Sequence, residues 1–323
     1  MSMFRKCLIL SALMIPALPA VYAQEIPAGK PIRIIVPYAA GGTSDILGRS
    51  LAQRLGQRLG RSVIVENKAG AGGSLGTEAT VRADPDGTTV LLHSGAIATE
   101  PSLKRNLPYD VLRDLAPIST AVMGPFAVLV SPQLPVKSVA ELIAYAKANP
   151  GKLNFGTPGT GTSVHLASEQ FKAAAGIQIV HVPYKGAGPA LTAAMANDVQ
   201  LVIDPLATAK KFAEAGKLRA QAVTTARRTD LWPEMQTVAE TGLPGFDASV
   251  WYGLYVPAKT PAAIVRLLNA EFVAILKSAD MTQWLRNEGL EAVADSPEQS
   301  RQWLAKDIQR WKAVVQAAGI KVE

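Results

Sequence analysis

Residues 31–45 read Pro31-Ile32-Arg33-Ile34-Ile35-Val36-Pro37-Tyr38-Ala39-Ala40-Gly41-Gly42-Thr43-Ser44-Asp45, and Leu47, Leu51, Leu55 and Leu59 follow at four-residue spacing. The apolar run Ile32 to Val36 ends at a proline and has the length of a buried strand. The leucines trace one face of a helix over residues 44–59. Between them, Gly41-Gly42 makes a turn in which a ligand can approach the backbone closely. The turn delivers the chain to a helix N-terminus, where unpaired N–H groups and the positive end of the helix dipole converge. Thr43, Ser44 and Asp45 are also ordinary residues for capping a helix, so capping alone accounts for the hydroxyls but not for the paired glycines. Strand, glycine turn and helix in this order open an α/β fold.

The same alternation continues outward. A strand is expected over residues 62–66, a helix over 74–83, and a strand over 88–92 behind the turn Asp84-Pro85-Asp86-Gly87. Phe126 to Val130 and Val250 to Val256 are apolar strands that bracket a second alternating block. Inside it, helices are expected at 138–148, 163–175, 187–196 and 206–215, with strands at 153–155, 178–182, 199–203 and 218–224. Asn149-Pro150-Gly151 stops the first of these helices. Three helical patterns follow Thr260-Pro261. Strands separated by helices of this length imply right-handed parallel crossovers. The economical architecture is two α/β domains joined by two crossover strands, with a ligand cleft between them. The first domain takes residues 24–125 and a return segment 251–323, and the second takes 126–250.

The first 23 residues stand apart from this pattern. Arg5 and Lys6 precede a short apolar run from Cys7 to Ile15, and Val21-Tyr22-Ala23 is a small-x-small signal for cleavage after Ala23. The run is too short to cross a bilayer. Its removal takes away the single cysteine of the 323-residue chain, so the expected product is an exported protein without disulfides, and in a bacterium the periplasm fits best. A hydrophobic content of 48% and a net charge of +7 exclude a disordered chain. The basic residues occur as isolated pairs such as Lys104-Arg105 and Lys210-Lys211 and form no stripe with aromatics, which argues against a nucleic-acid partner. A mildly positive surface suits anionic small molecules.

A second glycine loop, Gly156-Thr157-Pro158-Gly159-Thr160-Gly161-Thr162-Ser163, again joins a strand to a helix. Its spacing approaches a P-loop, but Thr162 stands where that motif needs lysine, so the β- and γ-phosphates would lack their cation. What survives is a geometry suited to one small anionic group such as a carboxylate, with a tight structural turn as the plainer reading. Gly70-Ala71-Gly72-Gly73-Ser74-Leu75-Gly76 narrowly misses a dinucleotide fingerprint and reads as a structural turn with a marginal ligand role. The three histidines, His93, His165 and His181, show no metal-ligand spacing. Ser94, His165 and Asp204 would be the members of a Ser/His hydrolase if they met in space, yet no G-x-S-x-G elbow accompanies them.

These residues together resemble the Bug-type (TctC-like) extracytoplasmic solute receptors of tripartite tricarboxylate transporters. The resemblance runs through Pro31 to Tyr38 with Gly41-Gly42 and Asp45, Val65-Glu66-Asn67-Lys68 with Gly70 to Gly73, and Asp84-Pro85-Asp86-Gly87. It continues through Leu107-Pro108-Tyr109-Asp110, Gly156 to Gly161 with His165-Leu166, and Val182-Pro183-Tyr184-Lys185-Gly186. Ala215 to Ala220, Thr237 to Glu240 and Trp251 complete it. It implies a type II periplasmic-binding-protein fold of the Venus-flytrap kind and a carboxylate held between two loops, partly through water. The loop residues would be Tyr38, Ala39, Gly42, Thr43, Ser44 and Asp45 on one side, and Thr157, Gly159, Thr160, Gly161, Thr162 and Ser163 on the other. Ser94, Gly95, Tyr184 and Asp204 would line the rest of the cleft. Two departures are visible: Thr43-Ser44 replaces Gly-Thr, and Asp204-Pro205 stands where many members carry Phe-Asp-Asn.

The implied function is capture of a mono- or dicarboxylate by domain closure and delivery to the permease subunits of such a transporter. The receptor would work as a monomer, without cofactor, metal or catalysis. Its neutral donors would hold the anion without burying a full positive charge. The rival readings are a ligand-sensing adaptor for a periplasmic signalling domain and the Ser/His hydrolase.

Overall fold

The computed structural model describes residues 26–318; the expected leader and its cleavage site lie outside them. Ten strands are present among the described residues: β1 (Ile32–Val36), β2 (Val63–Asn67), β3 (Thr89–Ser94), β4 (Leu115–Val130), β5 (Asn154–Thr157), β6 (Val180–Pro183), β7 (Leu201–Pro205), β8 (Arg219–Val223), β9 (Ser249–Pro257) and β10 (Glu291–Ala292). Hydrogen-bonded neighbours run β2-β1-β3-β9-β4-β7-β5-β6, and β8 and β10 also pair with β4.

Two parallel triplets, β2-β1-β3 and β6-β5-β7, lie at the ends of this order. Each is built by helical crossovers, as the alternation of strand and helix requires. The helix Thr43–Leu59 buries Leu47, Leu51 and Leu55 completely. Gly48 sits where it meets the sheet, since a Cβ there would stand 3.0 Å from Val36 Cγ2. Between the triplets the pairing is antiparallel, as strands that cross between two domains require. β9 runs antiparallel to β3 and β4, and β4 runs antiparallel to β7 and β8. These strands carry the chain from one triplet to the other and back, so they cannot share one direction.

β4 begins at Leu115, well before the Phe126 start expected from the sequence. Pro117, Gly124 and Pro125 interrupt its apolar pattern, and its pairing with β9 is irregular between Pro117 and Ser119 and between Thr120 and Val122. Tertiary pairing overrides the local breaker signals here. The part Leu115–Pro125 pairs with β9, and Phe126–Val130 pairs with β7 and β8. One strand therefore belongs to both halves.

The two crossings are tied together by Thr224, which is fully buried. Its N–H donates to the Phe126 carbonyl at 3.0 Å, and its carbonyl accepts the Ala248 N–H at 2.9 Å. Its hydroxyl accepts the Phe126 N–H at 3.0 Å and donates to the Ala248 carbonyl at 2.7 Å. The C-terminal helix Pro297–Ala318 packs on β4 and on the helix Ser163–Ala175. From it, Asp307 accepts the indole N–H groups of Trp251 and Trp311 at 2.9 and 3.1 Å.

Candidate functional site

The C-terminal ends of β1, β3, β5 and β7 meet around one cavity of about 550 Å³. This is where parallel α/β sheets characteristically hold ligands. The first wall is the turn after β1. Gly41, at φ +88°, donates its N–H to Asp45 Oδ2 at 2.9 Å. Asp45 also receives Arg49 Nε at 3.1 Å and Asn67 Nδ2 at 3.0 Å, and Asn67 Nδ2 reaches the Tyr38 carbonyl. Burial alone would raise this carboxyl, but the bonds from Arg49, Gly41 and Asn67 hold it below the ordinary carboxylate value. Asp45 thus fastens the turn from behind. Gly42 starts the helix without a side-chain cap, and the N–H groups of Thr43 and Ser44 have no acceptor among the described residues.

The second wall is the turn after β5. Thr162 caps the helix Ser163–Ala175 by accepting the His165 N–H at 3.2 Å, while its hydroxyl donates to the Gly159 carbonyl at 2.8 Å. Gly161, at φ +78°, donates its N–H to His165 Nδ1 at 3.1 Å. The His165 ring stacks on His181 with centroids 4.0 Å apart, and His181 stacks on Phe155 at 5.0 Å. Burial, with His181 and Lys172 adding to it, pushes His165 down to about 4. The ring is therefore neutral at pH 7 and free to accept at Nδ1. Ser163 and Val164 keep N–H groups without an acceptor among the described residues. Two helix N-termini, one from each half of the sheet, thus present free donors to one cavity.

The remaining walls are mixed. Tyr38 and Ser94 share a hydrogen bond of 2.7 Å. Glu100 accepts the Tyr109 hydroxyl at 2.6 Å through Oε2, while its Oε1 has no hydrogen bond and lies 3.6 Å from His93 Nε2 and 4.0 Å from Lys104 Nζ. The Lys104 ammonium bonds the Ala71 carbonyl and Ser74 Oγ. Burial raises the Tyr252 phenol to about 12, opposed by the Thr43 hydroxyl and reinforced by Asp204.

Of the residues expected at the site, Tyr38, Gly42, Thr43, Ser44, Ser94, Thr160, Gly161, Thr162, Ser163 and Asp204 line the cavity. Ala39, Asp45, Gly95, Thr157, Gly159 and Tyr184 stand outside the lining. Asp45 is turned into its own loop, and Thr157 bonds His181 Nε2 at 2.6 Å. A Cβ on Gly95 would stand 2.7 Å from the Trp251 indole nitrogen, so its role is close packing. Ala71 and Gly72 of the third glycine turn do reach the cavity. So do Glu100, Lys104 and Tyr252, which sequence reasoning missed. Lys104 had been visible only as half of a basic pair, and Tyr252 only as part of an apolar strand. Ser94, His165 and Asp204 share no hydrogen bond: Ser94 faces Tyr38, and His165 Nδ1 is engaged by Gly161. No described helix is long and apolar enough to cross a membrane.

The family described as the tripartite tricarboxylate transporter family receptor matches residues 47–320. Protein BugT of Bordetella pertussis is 37% identical over 305 residues, covering 94% of this chain and 93% of that protein. The solved structure of R. palustris Rpa4515 with adipate is similar with a TM-score of 0.84 at 35% identity, over 92% of this chain and 99% of that one. MatC from Rhodopseudomonas palustris with bound malate is similar with a TM-score of 0.79 at 28% identity, over 89% and 99% of the two chains. The fold is that of these solute-binding proteins, two α/β units joined by crossover strands around a cleft. The chain is a member of the Bug-type receptor family of tripartite tricarboxylate transporters.

Proposed function

We propose that this protein is a periplasmic receptor that captures a small mono- or dicarboxylate and delivers it to the permease subunits of a tripartite tricarboxylate transporter. The observation that carries the reading is the pair of helix N-termini. Thr43 and Ser44 from one half, and Ser163 and Val164 from the other, offer four unpaired N–H groups to one cavity. Such donors give charge-assisted bonds to a carboxylate without a buried counter-charge. The adipate and malate named with two relatives support the same ligand class.

In this reading the leader over residues 1–23 is removed after Ala23 and the mature protein acts as a monomer, without cofactor and without turnover. Residues 24–125 and 251–323 form one domain and 126–250 the other, and closure bends the chain near Phe126 and Ala248. Binding drives closure because only the closed form brings both helix ends onto one carboxylate; a ligand with equal affinity for both forms would shift nothing.

The test is a thermal-shift panel of mono-, di- and tricarboxylates against neutral sugars and polyamines. At a ligand concentration 100-fold above Kd, stabilisation of about 2.7 kcal/mol is expected from a binding carboxylate. A panel in which only sugars or polyamines raise the midpoint overturns the reading.

A further inference from the structure

Asp204, next to last in β7, stands in the cavity wall among Thr43, Thr208 and Tyr252. It is 1% exposed, and neither carboxylate oxygen has a hydrogen-bond partner among the described residues. No structural task accounts for it. The helix Leu206–Glu214 that follows is preceded by Pro205 and has no side-chain cap. Lys104, the one ammonium in the lining, is occupied by Ala71, Ser74 and Glu100.

Burial without a partner is costly for a carboxylate, and here it lifts the group to about 7. A fold that keeps such a group beside a ligand cavity gains nothing from it until a ligand arrives. An occupant that is anionic throughout would face the unpaired Asp204 carboxylate. A cationic group on the ligand removes that conflict and completes the unpaired carboxylate.

We propose that the ligand is an amino carboxylate whose ammonium group docks on Asp204 while its carboxylate sits on the helix N-termini at Thr43–Ser44 and Ser163–Val164. This rests on the carboxylate-receptor reading above and adds the second charge. It also makes Asp204 the residue that separates amino carboxylates from plain carboxylates of the same length.

Calorimetric titration of the mature chain with matched probes tests it: four- to six-carbon monocarboxylates, dicarboxylates, and their α- and ω-amino counterparts. An amino carboxylate should bind the wild type at least tenfold more tightly than its deaminated partner. In Asp204→Asn that preference should vanish. Plain carboxylates that equal or exceed every amino counterpart in the wild type overturn the inference and leave the receptor reading standing. Failure of every carboxylate, with or without an amine, overturns both. The wild-type comparison decides the matter even where the variant folds poorly.

Discussion

Gly161 donates its N–H to His165 Nδ1 across 3.1 Å, so the second glycine turn is held by a neutral imidazole from the helix it precedes. The bond requires Nδ1 to be unprotonated. The stack of His165 on His181, and of His181 on Phe155, keeps the ring in a site where its protonation is disfavoured. His165→Phe should preserve the stack and remove the acceptor. Ligand affinity should then fall by roughly the 0.5–1.5 kcal/mol worth of one hydrogen bond, with far-UV circular dichroism unchanged. The cation left by acid should act in the same direction. A histidine lowered from 6.5 to about 4 contributes stability that is fully present above pH 6.5 and lost as pH falls through 4. Urea midpoints of wild type and His165→Phe should converge across that window. Parallel curves would show that His165 does not carry the acid sensitivity.

Gly161 itself is fixed by backbone conformation more than by space. At φ +78° an added Cβ meets only Leu103 Cδ1, at 3.5 Å. Gly161→Ala should therefore cost about 1–2 kcal/mol through left-handed strain and weaken ligand binding by displacing the turn. Thr162→Ala acts differently, because the Thr162 hydroxyl is already committed to Gly159 and the His165 N–H. It should lower stability by about 1 kcal/mol, the typical loss of a helix cap. Denaturation and titration of both variants separate the two effects.

Thr224 joins the outgoing and returning segments at Phe126 and Ala248 through both its backbone and its hydroxyl. Thr224→Val keeps the shape but strips the Phe126 N–H and the Ala248 carbonyl of a buried partner. A loss of about 1–3 kcal/mol is expected, measured by urea unfolding. Thr224→Ser should recover most of it, since the hydroxyl returns.

How far the sequence foretold this molecule depended on whether the signal was local. The strand Ile32–Val36 and the helices Ser163–Ala175 and Ala187–Ala196 agree with the boundaries read from periodicity and glycine punctuation. The start of β4 does not, because its prolines mimic a loop and only pairing with β9 forces it straight. The two glycine turns were visible for the same local reason. Which of their side chains line the cavity was not. Asp45 and Thr157 belong to sound motifs, yet Asp45 is bonded back to Gly41, Arg49 and the distant Asn67, and Thr157 to the distant His181. Glu100, Lys104 and Tyr252 reach the cavity only through tertiary packing, and no spacing announces them.

Asp204 should betray its cost in a pH series without any ligand. A carboxyl raised from 3.8 to about 7 is protonated in both folded and unfolded chains below pH 3.8, so there it subtracts nothing. Between 3.8 and about 7 the unfolded chain releases the proton and the folded one keeps it, so stability declines as pH rises. Above about 7 the full penalty is present, on the order of 4 kcal/mol. Asp204→Asn removes the titration while keeping the shape. Its melting temperature should therefore match the wild type near pH 4 and exceed it increasingly up to pH 8. Differential scanning calorimetry at pH 4, 6 and 8 checks this. An Asn variant that is less stable than wild type at pH 8 would mean that Asp204 is already paired in the free protein, and its place as the unfilled partner of a ligand would be lost.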